Sequence, residues 1–192
     1  MTVFRLTLTG TKPVLLHNAQ LSDPMNRWAR EMKAISAKRK KTDEDHIELA
    51  RLEFMGSLYY DADLGPVLPA QNIKAALIAG AKKLKLGKVV QSDLQLTDQV
   101  TPLAYKGPRD LEGLWGDGES AFVNRASVKV GMSRVMRTRP MFASWAAEVE
   151  GFFDETSLNL ADVQQVLEYA GRAGIGDWRP EFGTFTAQIE VK

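Results

Sequence analysis

Cysteine is absent from the 192 residues, and histidine occurs only twice, at His17 and His46. The first absence excludes disulfides and thiolate metal sites and makes a reducing, cytoplasmic setting the expectation. The second leaves too few imidazoles for a metal cluster without help from carboxylates. Neither a metal nor another cofactor is therefore expected. No apolar run approaches the ~20 residues of a membrane span. The N-terminal stretch Met1-Thr-Val-Phe-Arg-Leu-Thr-Leu-Thr-Gly10 alternates like a strand and lacks the apolar core of a signal peptide. There is no Walker loop, Gly-x-Ser-x-Gly elbow or His-Glu-x-x-His. These gaps lead away from catalysis, and the expectation is a protein that is not an enzyme.

Two long stretches lack acids altogether. Gly65–Ser92 holds Lys74, Lys82, Lys83, Lys85 and Lys88, and Ser120–Ala147 holds Arg125, Lys129, Arg134, Arg137 and Arg139. Lys38-Arg-Lys-Lys41 is a third cluster, while acids crowd Asp43–Asp63, Asp93–Glu119 and Glu148–Glu168. The net charge of +1 thus conceals a segregated distribution. Segregation of this kind builds a basic face, the footprint of nucleic-acid binding, provided that the clusters converge in space. If they do not converge, they are ordinary solvated faces.

The chain is long enough for one large domain, or for one domain carrying insertions. Residues 2–9 alternate as a half-buried strand, and Val14-Leu-Leu-His17 resumes extended structure. Ser22-Asp-Pro-Met predicts a helix from Pro24 to about Lys40, capped by Ser22 or Asp23. Thr42-Asp-Glu-Asp predicts a second helix to about Phe54, and Ser57–Tyr60 reads as a short strand. Val67-Leu-Pro69 leads into a helix whose Ile73, Ala76, Leu77, Gly80 and Leu84 form a core face. Residues 91–118 read as mostly irregular. Ala126–Val130 and Ser133–Arg139 are extended, with a turn at Gly131. A strand over Trp145–Phe153, a helix from Asn159 to Ala170 and a strand over Thr184–Lys192 complete the chain. The order is βαβ, a basic insert, then βαβ. Two split βαβ units predict an α+β, ferredoxin-like fold of the RNA-recognition type, which often presents a sheet face to single-stranded RNA.

Gly171-Arg-Ala-Gly-Ile-Gly-Asp-Trp-Arg-Pro-Glu-Phe-Gly183 joins that last helix to the last strand. Glycines let backbone N–H groups approach a phosphate, arginine adds charge, and Trp178 and Phe182 offer faces to stack on bases. A dinucleotide-binding turn is the wrong reading, because such turns follow a first strand and open a helix. A plain loop whose glycines supply positive φ is the competing explanation.

Three segments together resemble the RAMP superfamily, the repeat-associated RNA-binding proteins of CRISPR systems. Val67-Leu-Pro-Ala-Gln-Asn-Ile-Lys-Ala-Ala-Leu77 resembles a superfamily motif in which Pro69, Asn72, Ile73, Lys74, Ala76 and Leu77 match in place or kind. Alanines at 70 and 75 replace its usual glycines. Gly171–Gly183 resembles its C-terminal glycine loop, and the first strand with Val14-Leu-Leu-His-Asn18 resembles its opening. The likeness is nearest to the backbone subunits that coat guide RNA.

The resemblance implies one RAMP-like domain over residues 1–192. It would carry a helical insertion at about 22–56 and a thumb-like β-hairpin insertion at about 91–145. It implies that Lys74, Arg125, Lys129, Arg134, Arg137, Arg139, Arg172, Trp178 and Arg179 contact RNA. Met132 or Met136 would wedge a base from its stack, although methionine is more often core filling. Trp28 and Trp115 read as core or subunit contacts. The implied function is a single-stranded RNA-binding defence component. It would self-associate head to tail into a helical oligomer along guide RNA, with other CRISPR effector subunits as further partners.

Three alternatives stand beside it. One is a subunit mimic that caps or inhibits a CRISPR complex. Another is a virion or assembly protein with an incidental basic face. The third is a metal-independent ribonuclease using Asp23 or His17, against which Asp23 reads equally as a helix cap.

Overall fold

In a computed structural model that describes residues 1–192, the side chain of Val130 excepted, the strands in chain order are β1 (Thr2–Gly10), β2 (Val14–Leu15), β3 (Tyr60–Asp61), β4 (Gly65–Pro69), β5 (Leu94–Leu96), β6 (Val100–Pro102), β7 (Val123–Val130), β8 (Ser133–Phe142), β9 (Ala146–Phe153) and β10 (Phe185–Val191). The helices are α1 (Arg27–Ser36), α2 (Asp43–Ser57), α3 (Ala70–Lys83), α4 (Gly87–Asp93), α5 (Leu111–Trp115) and α6 (Leu160–Ala173). This is a mixed α+β protein with several sheets. Among the described residues no helix is long and apolar enough to cross a membrane.

The chain forms two compact units. The first comprises Met1–Val14, Asp61–Lys106 and Ala143–Lys192. Its main sheet runs β10-β1-β9-β5 with every neighbour antiparallel. The alternation in β1 sends Phe4, Leu6 and Leu8 into the core, where they meet Ala147, Val149 and Phe153 of β9. Ile73, Ala76, Leu77 and Ala81 of α3 and Val163, Val166 and Ala170 of α6 are buried in the same unit, and the two helices pack on each other. Trp145 ties the strand ends together. It is 2% exposed, its indole N–H donates to the Lys12 carbonyl at 3.0 Å, and its own carbonyl accepts from Gly10 N–H at 2.8 Å. Its ring meets Phe185 edge-on at 6.2 Å.

The second unit comprises Leu15–Tyr60 and Gly107–Phe142. A long β7–β8 hairpin is joined by β2 in a three-stranded sheet and packs against α2. The last six residues of α2, Leu52–Ser57, are buried. Phe54 lies against Trp115 with ring centroids 5.4 Å apart, and Leu15, Leu16, Leu114 and Phe142 complete this core. Thr42 starts α2 with a reciprocal cap. Its hydroxyl accepts from Asp45 N–H, and the Asp45 carboxylate accepts from Thr42 N–H.

Four local expectations are corrected. The first helix begins at Arg27, not Pro24, because the Asn26 side chain accepts from Trp28 N–H and is the cap. It ends at Ser36, not near Lys40. Ser57 closes α2, and the following strand is only Tyr60–Asp61, since the apolar Leu58 is needed in the core. Residues 91–118 are not mostly irregular. Leu94 is buried as β5 pairs with Phe153 and Gly151 of β9, a three-residue strand too short for its alternation to register in sequence.

Trp145→Ala removes a buried indole and its hydrogen bond at the point where β1 and β10 meet. It is expected to cost about 3–5 kcal/mol in urea unfolding; a loss below 1 kcal/mol rules out the anchoring role.

Candidate nucleic-acid interface

The five cations of the acid-free Ser120–Ala147 stretch all lie on the β7–β8 hairpin, but not on one face. Cross-strand neighbours share a face, and faces alternate along a strand. The pairs Arg125–Thr138, Ser127–Met136 and Lys129–Arg134 therefore put Arg125, Lys129, Arg134 and Met136 on one face. Arg137 and Arg139, opposite Ala126 and Asn124, occupy the other. Four residues of strand separate Arg125 from Lys129, about 13 Å, a span of about two phosphates along an extended single strand. The tip is a two-residue turn, with Gly131 at φ +59° as such a turn requires of its first central residue. Met132 beside it is 100% exposed, and Met136 is 62% exposed. Neither methionine is core filling.

Arg125 stands at the inner end of this face. Its guanidinium lies 5.8 Å from the centroid of the Trp115 ring and 3.9 Å from the Glu119 carboxylate. Trp115 itself is buried. A cavity of about 300 Å³ beside Arg125 is lined by His46, Ile47, Leu49, Ala50 and Glu53 of α2 and by Met136 and Thr138 of β8, a mainly apolar wall with three polar side chains. Ile47 is exposed. The cation row thus borders an apolar recess.

The other face is organised by a residue that sequence reading missed. Glu53 of α2 is 6% exposed. One carboxylate oxygen accepts from the Arg137 guanidinium at 2.8 Å, and the second accepts from Thr138 N–H at 2.8 Å. The available signal was a charge inside the run Leu52-Glu-Phe-Met55, where every neighbour is core. Arg139 is half-buried.

The remaining candidates lie in the first unit. Lys74 does not project freely: its ammonium donates to the Val90 carbonyl at 2.8 Å. Burial lowers its pKa, partly offset by the charge of Asp93. Arg172 pairs with Glu168 and lies 5.5 Å from the centroid of the Tyr169 ring. Trp178, 43% exposed, stacks on Phe182 at 6.2 Å. The Arg179 guanidinium donates to the Gly174 carbonyl at 3.4 Å. At least four amides of the glycine-rich loop already donate to backbone carbonyls, those of Gly174, Ile175, Phe182 and Gly183. Ile175 N–H donates to Gly183 O at 2.9 Å, and Gly183 N–H donates to Pro13 O at 2.7 Å. Gly183 has φ +72°, and any Cβ there would collide with the Ile175 carbonyl, so this glycine serves the folding of the loop on itself.

The open face of the main sheet is acidic. Glu150, Arg5 and Glu190 form one row across it, and Glu148, Thr7 and Gln188 the next. Lys192 and Arg5 bond to Glu150 and hold its carboxyl below the usual range. The row beyond, Val3 with Phe152 and Gln95, places one half-buried aromatic on this face.

Of the two candidate acid–base residues, Asp23 accepts from Met25 N–H at 2.8 Å, a local turn bond. His17 Nδ1 lies 3.4 Å from the Ser57 hydroxyl. Among the described residues no group of three or more His, Asp or Glu is placed to hold a metal ion. No protein-family model matches the chain, and no curated protein matches it.

Glu53→Ala leaves Thr138 N–H buried without its acceptor and the Arg137 guanidinium without its counter-charge. A loss of roughly 2–3 kcal/mol in chemical unfolding is expected; an unchanged midpoint shows that the bond contributes nothing. Lys74 gives a pH signature. Because its folded-state pKa is depressed, the unfolded chain binds more protons between that value and the ordinary lysine range, so stability rises with pH through that window. Lys74→Met is expected to flatten this rise in unfolding curves taken across alkaline pH.

Proposed function

We propose that this chain is a RAMP-type protein that binds single-stranded RNA along the Arg125–Lys129–Arg134 face of its hairpin. The observation that carries the reading is that this one face combines three cations with an exposed Met136, beside an apolar recess and under a fully exposed Met132. The cations neutralise successive phosphates, while the recess and the methionines offer apolar contact to bases. Trp178 and Phe182 are a second stacking element, in the other unit.

The finer fold reading is ferredoxin-like. What supports it is the strand order β10-β1-β9-β5, with α3 in the connection from β1 to β5 and α6 joining β9 to β10, the connectivity of two split βαβ units. Assembly is head to tail along a guide strand, through an interface that does not close. The acidic open sheet face repels a polyanion, so the strand is carried by the hairpin and not by the sheet. The protein acts by binding, not by catalysis.

Fluorescence anisotropy with a labelled single-stranded RNA, read across a salt series, tests this. Lys129→Glu and Arg134→Glu are each expected to weaken binding at least tenfold regardless of sequence. Each should also lower the log–log salt slope by about 0.7. Unchanged affinity in the double variant overturns the assignment. Sedimentation with RNA of increasing length checks assembly, which predicts mass growing in equal steps.

A further inference from the structure

A second cavity in the hairpin-bearing unit, about 380 Å³, is lined by His17, Ser22, Lys33, Ser36, Glu53 and Arg137, among others. Its size falls in the range of small-ligand sites, about 300–1,000 Å³. We propose that it binds a phosphate monoester.

Three observations point there. First, donors converge from separate elements. His17 comes from the segment after β2, Lys33 and Ser36 from α1, and Arg137 from β8. A phosphate monoester carries close to two negative charges and three acceptor oxygens, so it rewards donors that approach from several directions. Second, Arg137 is already positioned. Glu53 fixes its guanidinium at 2.8 Å and is itself fixed by Thr138 N–H. Guanidinium has five N–H donors, and the single bond to Glu53 leaves others for a second anion. Third, the charge balance is uneven. Glu53 is the only acid among the residues lining the cavity, and both of its oxygens are engaged. Lys33 makes no ion pair among the described residues, and it shares the cavity with Arg137. An anion entering here meets an excess of positive charge.

The site is distinct from the strand-binding face. Arg137 lies on the hairpin face opposite Arg125, Lys129 and Arg134. The recess beside Arg125 and this cavity share Glu53 as a wall, but their arginines, Arg125 and Arg137, lie on opposite faces of the hairpin, so the inference stands whether or not the strand-binding reading holds. The ligand chemistry is a terminal or free phosphate group, and its source is either the phosphorylated end of an RNA or a small phosphate compound.

The experiment uses the full-length protein with three probes: inorganic phosphate, a short RNA bearing a 5′-phosphate, and the same RNA with a 5′-hydroxyl. Binding is read by titration calorimetry at constant ionic strength. Lys33→Glu is the main variant, since Lys33 is exposed on α1 and its replacement leaves the core intact. Arg134→Glu is the control on the other face. The expected result is saturable binding of inorganic phosphate, weakened at least tenfold by Lys33→Glu and unchanged by Arg134→Glu. A Lys33-dependent preference of at least fivefold for the 5′-phosphorylated RNA identifies the RNA end as the source. Phosphate binding without that preference identifies a small phosphate compound. The proposal is overturned if neither phosphate-bearing probe binds in preference to its control, or if Lys33→Glu leaves binding unchanged. Arg137→Gln serves as a second variant only if its unfolding midpoint matches the wild type. Loss of strand binding in Arg134→Glu with phosphate binding retained separates the two sites.

Discussion

The buried carboxylate of Glu53 is the constraint on which the hairpin-bearing unit depends. A charge at 6% exposure is tolerated only when its hydrogen-bonding capacity is met. Here one oxygen takes a side-chain donor and the other a backbone donor, both from consecutive residues of β8. That pair of bonds fixes α2 against the hairpin in register as well as in distance. A one-residue slip of β8 would present the wrong amide and turn Arg137 to the opposite face. The same contact holds Arg137 away from the Arg125–Lys129–Arg134 row and makes it a wall of the second cavity.

The hairpin illustrates why a cluster of cations in sequence is not a cluster in space. Five basic residues in an acid-free stretch invite one continuous basic face. The two-residue period of the strand divides them three and two. The three that share a face with Met136 are suited to a strand of alternating phosphate and base. The two that remain belong to a half-buried surface organised by Glu53 and Val128. Charge of one sign is gathered along the chain, and the pleat decides which charges act together.

The glycine-rich loop shows the opposite relation. Its composition suits a phosphate cradle, yet the amides of Gly174, Ile175, Phe182 and Gly183 are already bonded to carbonyls, two of them within the loop. Glycine is required at 183 because backbone passes close to backbone there, not because a ligand does. Beside its exposed charges, the loop presents the exposed Trp178 stacked on the half-buried Phe182. On the main sheet, the polar positions of β1 and β9 that alternate with the core carry Glu148, Glu150 and Arg5. These positions carry charge where sheets that bind single-stranded RNA commonly present stacking aromatics.

Much of the fold was legible from period alone. The alternation of Thr2–Gly10 marked β1, the 3.6-residue spacing of Ile73, Ala76, Leu77 and Gly80 marked α3, and the Thr42 and Asn159 caps marked the starts of α2 and α6. These signals are local, and local physics sets them. The short strand β5 was not legible, since three residues carry no period and its existence rests on pairing with β9. Nor were the partnership of Glu53 with Arg137, the turning of Lys74 toward Val90, or the meeting of His17, Lys33 and Arg137 around one cavity. The sequence by itself determined the long, strongly periodic helices and strands and where charge of one sign accumulates, because those depend on neighbours within a few residues. Only the tertiary structure decided which charges face each other and which face solvent, because that depends on strand register and helix packing between residues dozens of positions apart.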